Sequence, residues 1–396
     1  MTLPKGYKHT EIGILPSDWQ VVRLGEVAKF FSGGTPKTIE RKYYGGEIPF
    51  IKSAEIYNST TQETLTSLGV KESSAKWVER GDLLFALYGA NSGEVAIAKI
   101  NGVINQAVLC IKNKPEILNT YFLYSVFLER KEWITTRFLQ GGQGNLSGKI
   151  VQNLQIPLPP LAEQEKIAEI LSTWDTQIQN YESLIAEKQN LKKGLCQTLL
   201  TAKTRFKGFS EDWQVVRLGD VAEDEDFKRI PVSSTERERL VRDSDAVYPY
   251  YGAMGQVGWI NDYIFDEERI LLAEDGCPFL EKDKQKSFIA KGKYWVNNHA
   301  HILRVDLSKG NNYFLCSQLN RVDYSKYING AERLKLNKEV MKEIKIPIPS
   351  LAEQEKIAEI LSEADKQISL LEQKLESLKS QKKGLMQNLL NGKVRV

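Results

Sequence analysis

The chain has 396 residues, of which 41% are hydrophobic and 27% charged, with a formal net charge of +3. This length allows at least two full hydrophobic cores, and the composition excludes a disordered or fibrous chain. No run of 18 apolar residues occurs and the N-terminal MTLPKGYKHTEIG has no apolar leader, so no membrane span is expected and the protein is expected in the cytoplasm.

Along the chain, a short strand-like stretch, DWQVVRLGEVA (18–28), comes first. From Phe30 onward follow alternating segments (DLLFALY, EVAIAKI, VINQAVLCIK), then a helical stretch over 119–137. The turns between them, GGTPKTIERKYYGG (33–46), LYGANSGE (87–94) and GGQGNLSGK (141–149), combine glycine with amides and cations. Such side chains suit base edges and phosphates, so Thr35, Lys37, Arg41, Lys42, Asn91, Ser92, Gln140, Gln143 and Asn145 are candidate DNA contacts. Net charge alone does not predict a nucleic-acid partner, and a basic surface has to come from clusters such as Lys37, Arg41 and Lys42.

A long helix is expected after the prolines at 157, 159 and 160, opening on LAEQEKIAEILS (161–172) and running to about Leu200. DWQVVRLGDVA (212–222) then restarts the pattern. The second block holds RILLAED, YWVNNHAHILRV and a helix near 312–320, with candidate contacts Tyr250, Tyr251, Asn297, Asn298, His299, Arg333 and Lys335. LAEQEKIAEILS returns unchanged at 351–362, where Ser350 and Glu353 form an S-x-x-E capping box that Pro160 rules out in the first copy.

Both helices carry a heptad seam. In the second it runs through Leu361, Ala364, Ile368, Leu371, Leu375, Leu378, Leu385 and Leu389, with Lys382 interrupting. The first uses Leu171, Trp174, Ile178, Tyr181, Ile185, Lys188, Lys192, Leu195 and Leu199. Some 40 residues give a helix of roughly 60 Å, and one copy is expected to cover the other, antiparallel, about a pseudo-twofold axis. Gly194 and Gly384 fit either close backbone approach or a frayed last turn.

Catalytic signatures fail. GGQGNLSGK lacks the P-loop spacing, no G-x-G-x-x-G follows a strand, and no N/D-P-P-Y/F motif occurs. His299 and His301, expected on one face of a strand, are a weak metal pair, so neither a metal nor a cofactor is expected. Cys110, Cys196, Cys277 and Cys316 have no C-x-x-C spacing and read as reduced thiols.

The chain resembles the specificity (S) subunit of type I restriction-modification systems. The resemblance is carried by YKHTEIGILPSDWQVVRLGEVA, GGTP (33–36), the paired IPLPPLAEQEKIAEIL and IPIPSLAEQEKIAEIL, YYGAMGQVGWI, LLAEDG and WVNNHAHIL. It implies an α+β fold with two target recognition domains (1–155 and 209–345) and two helical regions (156–208 and 346–396) packed as an antiparallel coiled coil. It also implies that double-stranded DNA is read as a split sequence, that two methyltransferase subunits dock on the helices, that restriction/translocase subunits join, and that the chain itself is not catalytic. Ile167, Ile170, Ile357 and Ile360, identical in the two copies, are the expected docking residues. The alternatives are a recognition module of another restriction-modification enzyme and a coiled-coil scaffold that binds no DNA.

Overall fold

The computed structural model describes all residues except 1, 2, 4, 139–144, 243, 245, 246, 283 and 331–333. The chain divides into two compact units, one of residues 1–182 with 373–396, the other of residues 183–372.

The strands of the first unit are β1 (Tyr7–Thr10), β2 (Gly13–Pro16), β3 (Gln20–Arg23), β4 (Ala28–Ser32), β5 (Tyr44–Ile51), β6 (Thr64–Leu65), β7 (Lys76–Val78), β8 (Leu83–Ala86), β9 (Val95–Ile97), β10 (Gly102–Ile104), β11 (Val108–Asn113) and β12 (Gln155–Leu158). Two four-stranded sheets result, ordered β4-β11-β8-β9 and β6-β5-β10-β7, while β3 pairs antiparallel with β12. The LLFA of β8 is buried at every residue, as a central strand covered on both faces must be. The Thr120–Phe138 helix packs Phe122, Leu123, Val126 and Phe127 into the core beneath.

The second unit contains β13 (Gln214–Arg217), β14 (Ala222–Asp224), β15 (Tyr248–Gly252), β16 (Gly255–Ile260), β17 (Phe265–Asp266), β18 (Arg269–Ala273), β19 (Ser287–Ala290), β20 (Lys293–Val296), β21 (Ala300–Val305), β22 (Ile328–Asn329), β23 (Lys335–Leu336) and β24 (Lys345–Ile348). Its sheets run β14-β21-β18-β19 and β16-β15-β20-β17, and β13 pairs with β24. Two blocks that share no sequence pattern therefore have one topology. One expectation changes in both: VINQAVLCIK and YWVNNHAHILRV are each two strands in different sheets, broken at Asn105–Ala107 and at Asn297–His299.

The two long helices span Leu161–Leu199 and Leu351–Leu390, and each supplies one end to each unit. In the first unit Asp175 pairs with Lys382 and Glu182 with Lys379 (2.7 Å). In the second, Lys192 pairs with Asp365 and Lys188 with Gln367 (3.2 Å). Rising numbers on one helix meet falling numbers on the other, so the segments are antiparallel. Every seam position is buried or half-buried. The seam lysines Lys382 and Lys192 are accommodated because Asp175 and Asp365 receive them, and each aspartate also accepts from a tyrosine of its own block, Tyr121 or Tyr313. Burial first, and then these carboxylates, push both tyrosine hydroxyls well above their ordinary range.

The helix ends close the cores. Leu389 and Leu390 belong to the core of the first unit, Leu199 and Leu200 to that of the second. Two of the expectations change here. A Cβ on Gly194 or Gly384 would meet only open space, so of the two readings of these glycines the close backbone approach does not hold. Nor does a capping box form in the expected way, since Arg205 takes both oxygens of Glu353 at 2.9 and 2.7 Å. The amides of 163 and 164 instead bond the carbonyl of Pro160 as those of 353 and 354 bond that of Ser350, which is why proline serves equally well. Among the described residues no helix is long and apolar enough to cross a membrane.

Candidate nucleic-acid interface

In the first unit, strand register brings the ends of β4, β5, β8 and β10 and the start of β11 to one end of the sheets. The loops that leave there are tied to one another: the amide of Gly33 bonds the carbonyl of Asn105 (3.2 Å), that of Leu87 the carbonyl of Ala107 (2.8 Å), and that of Leu146 the carbonyl of Leu87 (2.8 Å). The glycine-rich turns, scattered in sequence, thus share one surface. Of the residues in these turns Thr35, Lys37, Arg41, Lys42 and Asn145 are exposed, with Asn91 and Ser92 half-buried. Ser92 is spent on its own loop, its hydroxyl donating to the Leu87 carbonyl (3.0 Å), and Lys42 pairs with Glu40 at 3.4 Å. Lys37 and Arg41 have no ion-pair partner among the described residues, the condition that suits a phosphate. Gln140 and Gln143 lie outside the described residues.

Glycine is required at one point of this loop. A Cβ on Gly33 would lie 1.7 Å from the carbonyl oxygen of Ile104. Only glycine lets the GGTP segment lie against the end of β10, which brings the Thr35 hydroxyl to Oε1 of Gln106 at 2.6 Å. Gln106 is exposed and was not among the candidates, because nothing in VINQAVLCIK marks a turn.

The corresponding end of the second unit is more densely charged. Arg229 bonds Glu274 (2.5 Å) and the carbonyls of Asn298 (3.3 Å) and Ala300 (3.2 Å), and Lys335 pairs with Glu274 at 2.9 Å. Burial alone would raise the Glu274 carboxyl; the bonds from Arg229 and Lys335 outweigh it and hold the group below its ordinary range. Asn298 is exposed, and His299 holds its Nδ1 2.8 Å from Asp275. Tyr250 has to be withdrawn as a contact: it is 2% exposed and donates to the Val232 carbonyl, while Tyr251 is half-buried against Phe288 and Tyr294. Arg333 lies outside the described residues.

The two histidines do not share a strand face, because His299 sits in the turn and His301 on β21. Asp226, Glu274 and His301 bring possible ligand atoms within 4.8 Å of one another. Arg229 already faces both carboxylates, and the ring nitrogens of His301 face Asp226 (2.6 Å) and the Leu336 carbonyl (2.8 Å), so this cluster is an internal charge network.

The repeated helix starts divide into a buried and an exposed side. Gln164 donates to the carbonyls of Pro159 (2.9 Å) and Ile117 (3.0 Å) and accepts from the amide of Asn119 (2.9 Å). Gln354 repeats this with Pro349, Lys309 and Asn311. The glutamine of P-L-A-E-Q or S-L-A-E-Q therefore fastens each long helix to its block. Ile167 and Ile357 are 0% and 1% exposed and lie in the cores of their own units, which corrects their assignment as docking residues; Ile170 and Ile360 are half-buried. The identical residues that do face outward are Ala162, Glu165, Lys166 and Glu169, with Ala352, Glu355, Lys356 and Glu359.

Comparison with known proteins agrees with this architecture. A family model described as the type I restriction modification DNA specificity domain matches twice, over residues 16–188 and 210–380. The MjaVIII type I restriction enzyme specificity subunit of Methanocaldococcus jannaschii is 25% identical over 429 residues, covering 96% of this chain and 94% of its own length. The putative MjaX specificity subunit of the same organism is 27% identical over 99% of this chain and 97% of its own. Among solved structures, the S subunit of a type I restriction-modification system from M. genitalium matches with a TM-score of 0.66 at 17% identity, over 98% of both chains.

Proposed function

Because the chain belongs to the type I restriction-modification DNA specificity family, we propose that it is the subunit that selects the DNA sequence for such a complex, reading a target in two parts. The observation that carries this reading is the pairing of two blocks of one topology with unlike loop ends. In this reading residues 1–155 and 209–345 are target recognition domains, each contacting one half-site through its loop end. Residues 156–208 and 346–396 are helical regions that hold an unread spacer between the half-sites. Thr35, Lys37, Arg41, Lys42, Asn91, Asn145, Tyr251, Asn298, His299 and Lys335 are contact candidates in the two loop ends. Tight internal use of Ser92 and Asn297 removes both from the list.

Two methyltransferase subunits dock, one on each repeated helix start, and restriction/translocase subunits join the assembly in the cytoplasm. The outward residues Ala162, Glu165, Lys166 and Glu169 and their identical counterparts 190 positions later support this, since an exposed charged face gains nothing in the fold from being copied. The chain supplies recognition and its partners supply the chemistry. Co-expression with the methyltransferase subunit followed by methylome sequencing tests the proposal: a motif of two short parts separated by unread bases is expected, and replacing residues 30–150 with another recognition domain should change one part only. An uninterrupted motif, or a change in both parts, would sink it.

A further inference from the structure

The turn joining β10 to β11 and the turn joining β20 to β21 are the same turn. Val103 and Ile104 face Phe50 and Ile51 as Trp295 and Val296 face Tyr250 and Tyr251, which sets Asn105-Gln106-Ala107 against Asn297-Asn298-His299. The bonds repeat with the register. Oδ1 of Asn105 accepts from the amide of Ala107 (3.1 Å), and Oδ1 of Asn297 from that of His299 (2.8 Å). The carbonyl of Ala107 takes the Leu87 amide at 2.8 Å, and that of His299 takes the Glu274 amide at 2.9 Å.

In each turn the first amide side chain is thus used by the turn itself. The second, Gln106 or Asn298, is exposed at the tip. Both turns are braced from outside: Thr35 orients Oε1 of Gln106, whose amide nitrogen has no partner among the described residues, while Arg229 fixes the backbone carbonyl of Asn298. The blocks do not match in sequence, yet both place a carboxamide at this position. A carboxamide offers one donor and one acceptor side by side, the pattern complementary to N7 and N6 of adenine in the major groove. Held on a braced turn, it loses little freedom on binding.

We infer that Gln106 and Asn298 are matched specificity-determining residues, each reading one adenine, Gln106 in one half-site and Asn298 in the other. Thr35 and Arg229 act as positioning residues. The inference rests on the reading of both blocks as DNA-recognition domains.

Selection from randomised duplexes, using the full-length chain assembled with its methyltransferase subunit, separates the two claims. The wild type should enrich a two-part motif with an adenine in each part. Gln106→Ala should lower discrimination at one position of one part by about tenfold or more and leave the other part intact, with Asn298→Ala doing the converse. Gln106→Glu should move the preference at that same position from adenine toward cytosine, a change that a merely structural role would not produce. Folding is checked by hydrogen exchange over residues 20–158 for the Gln106 variants and 214–348 for Asn298→Ala. Unchanged preference in folded variants, or equal weakening at every position, overturns the inference while leaving the two-part reading intact. A wild-type assembly that enriches no motif overturns both.

Discussion

The two units share a topology and an identical helix start, but they are closed differently at the point where the far end of a long helix arrives. In the first, Arg395 holds Asp18 at 3.0 and 2.7 Å and Glu163 at 2.9 Å, and Nε1 of Trp19 donates to Glu163 at 3.0 Å. The Arg395 guanidinium keeps the Asp18 carboxyl below its ordinary range. In the second, Arg205 stands 190 positions before Arg395 and binds Glu353, but Nε1 of Trp213 is buried with no partner among the described residues. The turn that carries each arginine needs one residue in the left-handed region: Gly392 at φ 63° in the first unit, Ala202 at φ 57° in the second. The copied frame sets the topology, whereas the closure is made with a bonded indole and a glycine in the first unit and with an unpartnered indole and a left-handed alanine in the second.

The largest expected effect tests whether the frame is equivalent in both units. Ile167→Asp and Ile357→Asp should each cost more than about 4 kcal/mol, because an unpaired charge would enter a core position. Circular dichroism and peptide-resolved hydrogen exchange should show loss of the unit that carries the change, and a folded variant would refute the burial of these residues.

Next come the glutamines. Gln164→Ala and Gln354→Ala should each destabilise by about 2 to 3 kcal/mol, since two carbonyls and an amide would be left without their partner. Chemical denaturation should give equal losses for the two; a clear inequality would mean that the repeated starts are not energetically alike.

The turns should respond in opposite directions. Ala202→Gly should stabilise by about 1 kcal/mol through relief of a left-handed alanine. Gly392→Ala should destabilise by at least about 1 to 2 kcal/mol, because its Cβ would also meet Pro16 Cγ at 2.4 Å. Melting curves that move the same way for both would contradict the strain argument.

Acid should separate the units most gently. Glu225, bonded by Arg269 (2.7 Å) and Lys228 (2.8 Å), and Glu274 are both held below the ordinary carboxylate range despite burial. Their contribution is complete above the unfolded carboxylate value near 4.3 and is lost as pH falls through the lower folded values. The effect should be no more than about 1 kcal/mol per group after solvent screening. Hydrogen exchange between pH 6 and 3 should show the second unit loosening first, and earlier loosening of the first unit would count against these pairs.

Much of this was legible in the residues. Heptad spacing and proline placement marked both long helices and their partnership, because periodicity reports which face of a helix is apolar. Identical segments 190 residues apart revealed the duplication, and the glycine-rich turns marked loops that the fold ties together at one end of the first unit. Spacing does not say what covers an apolar face, however. Ile167 and Ile357 are copied because each fills its own core, and only packing distinguishes that from a docking role. Likewise, VINQAVLCIK and YWVNNHAHILRV alternate like single strands and contain no glycine or proline. Their breaks are made by an asparagine that bonds two residues ahead, a choice that becomes favourable only once the flanking strands have been drawn into different sheets. Local sequence determined the elements and their repetition; long-range strand pairing decided where the exposed amides stand, because a side chain that bonds its own backbone competes with the strand it interrupts.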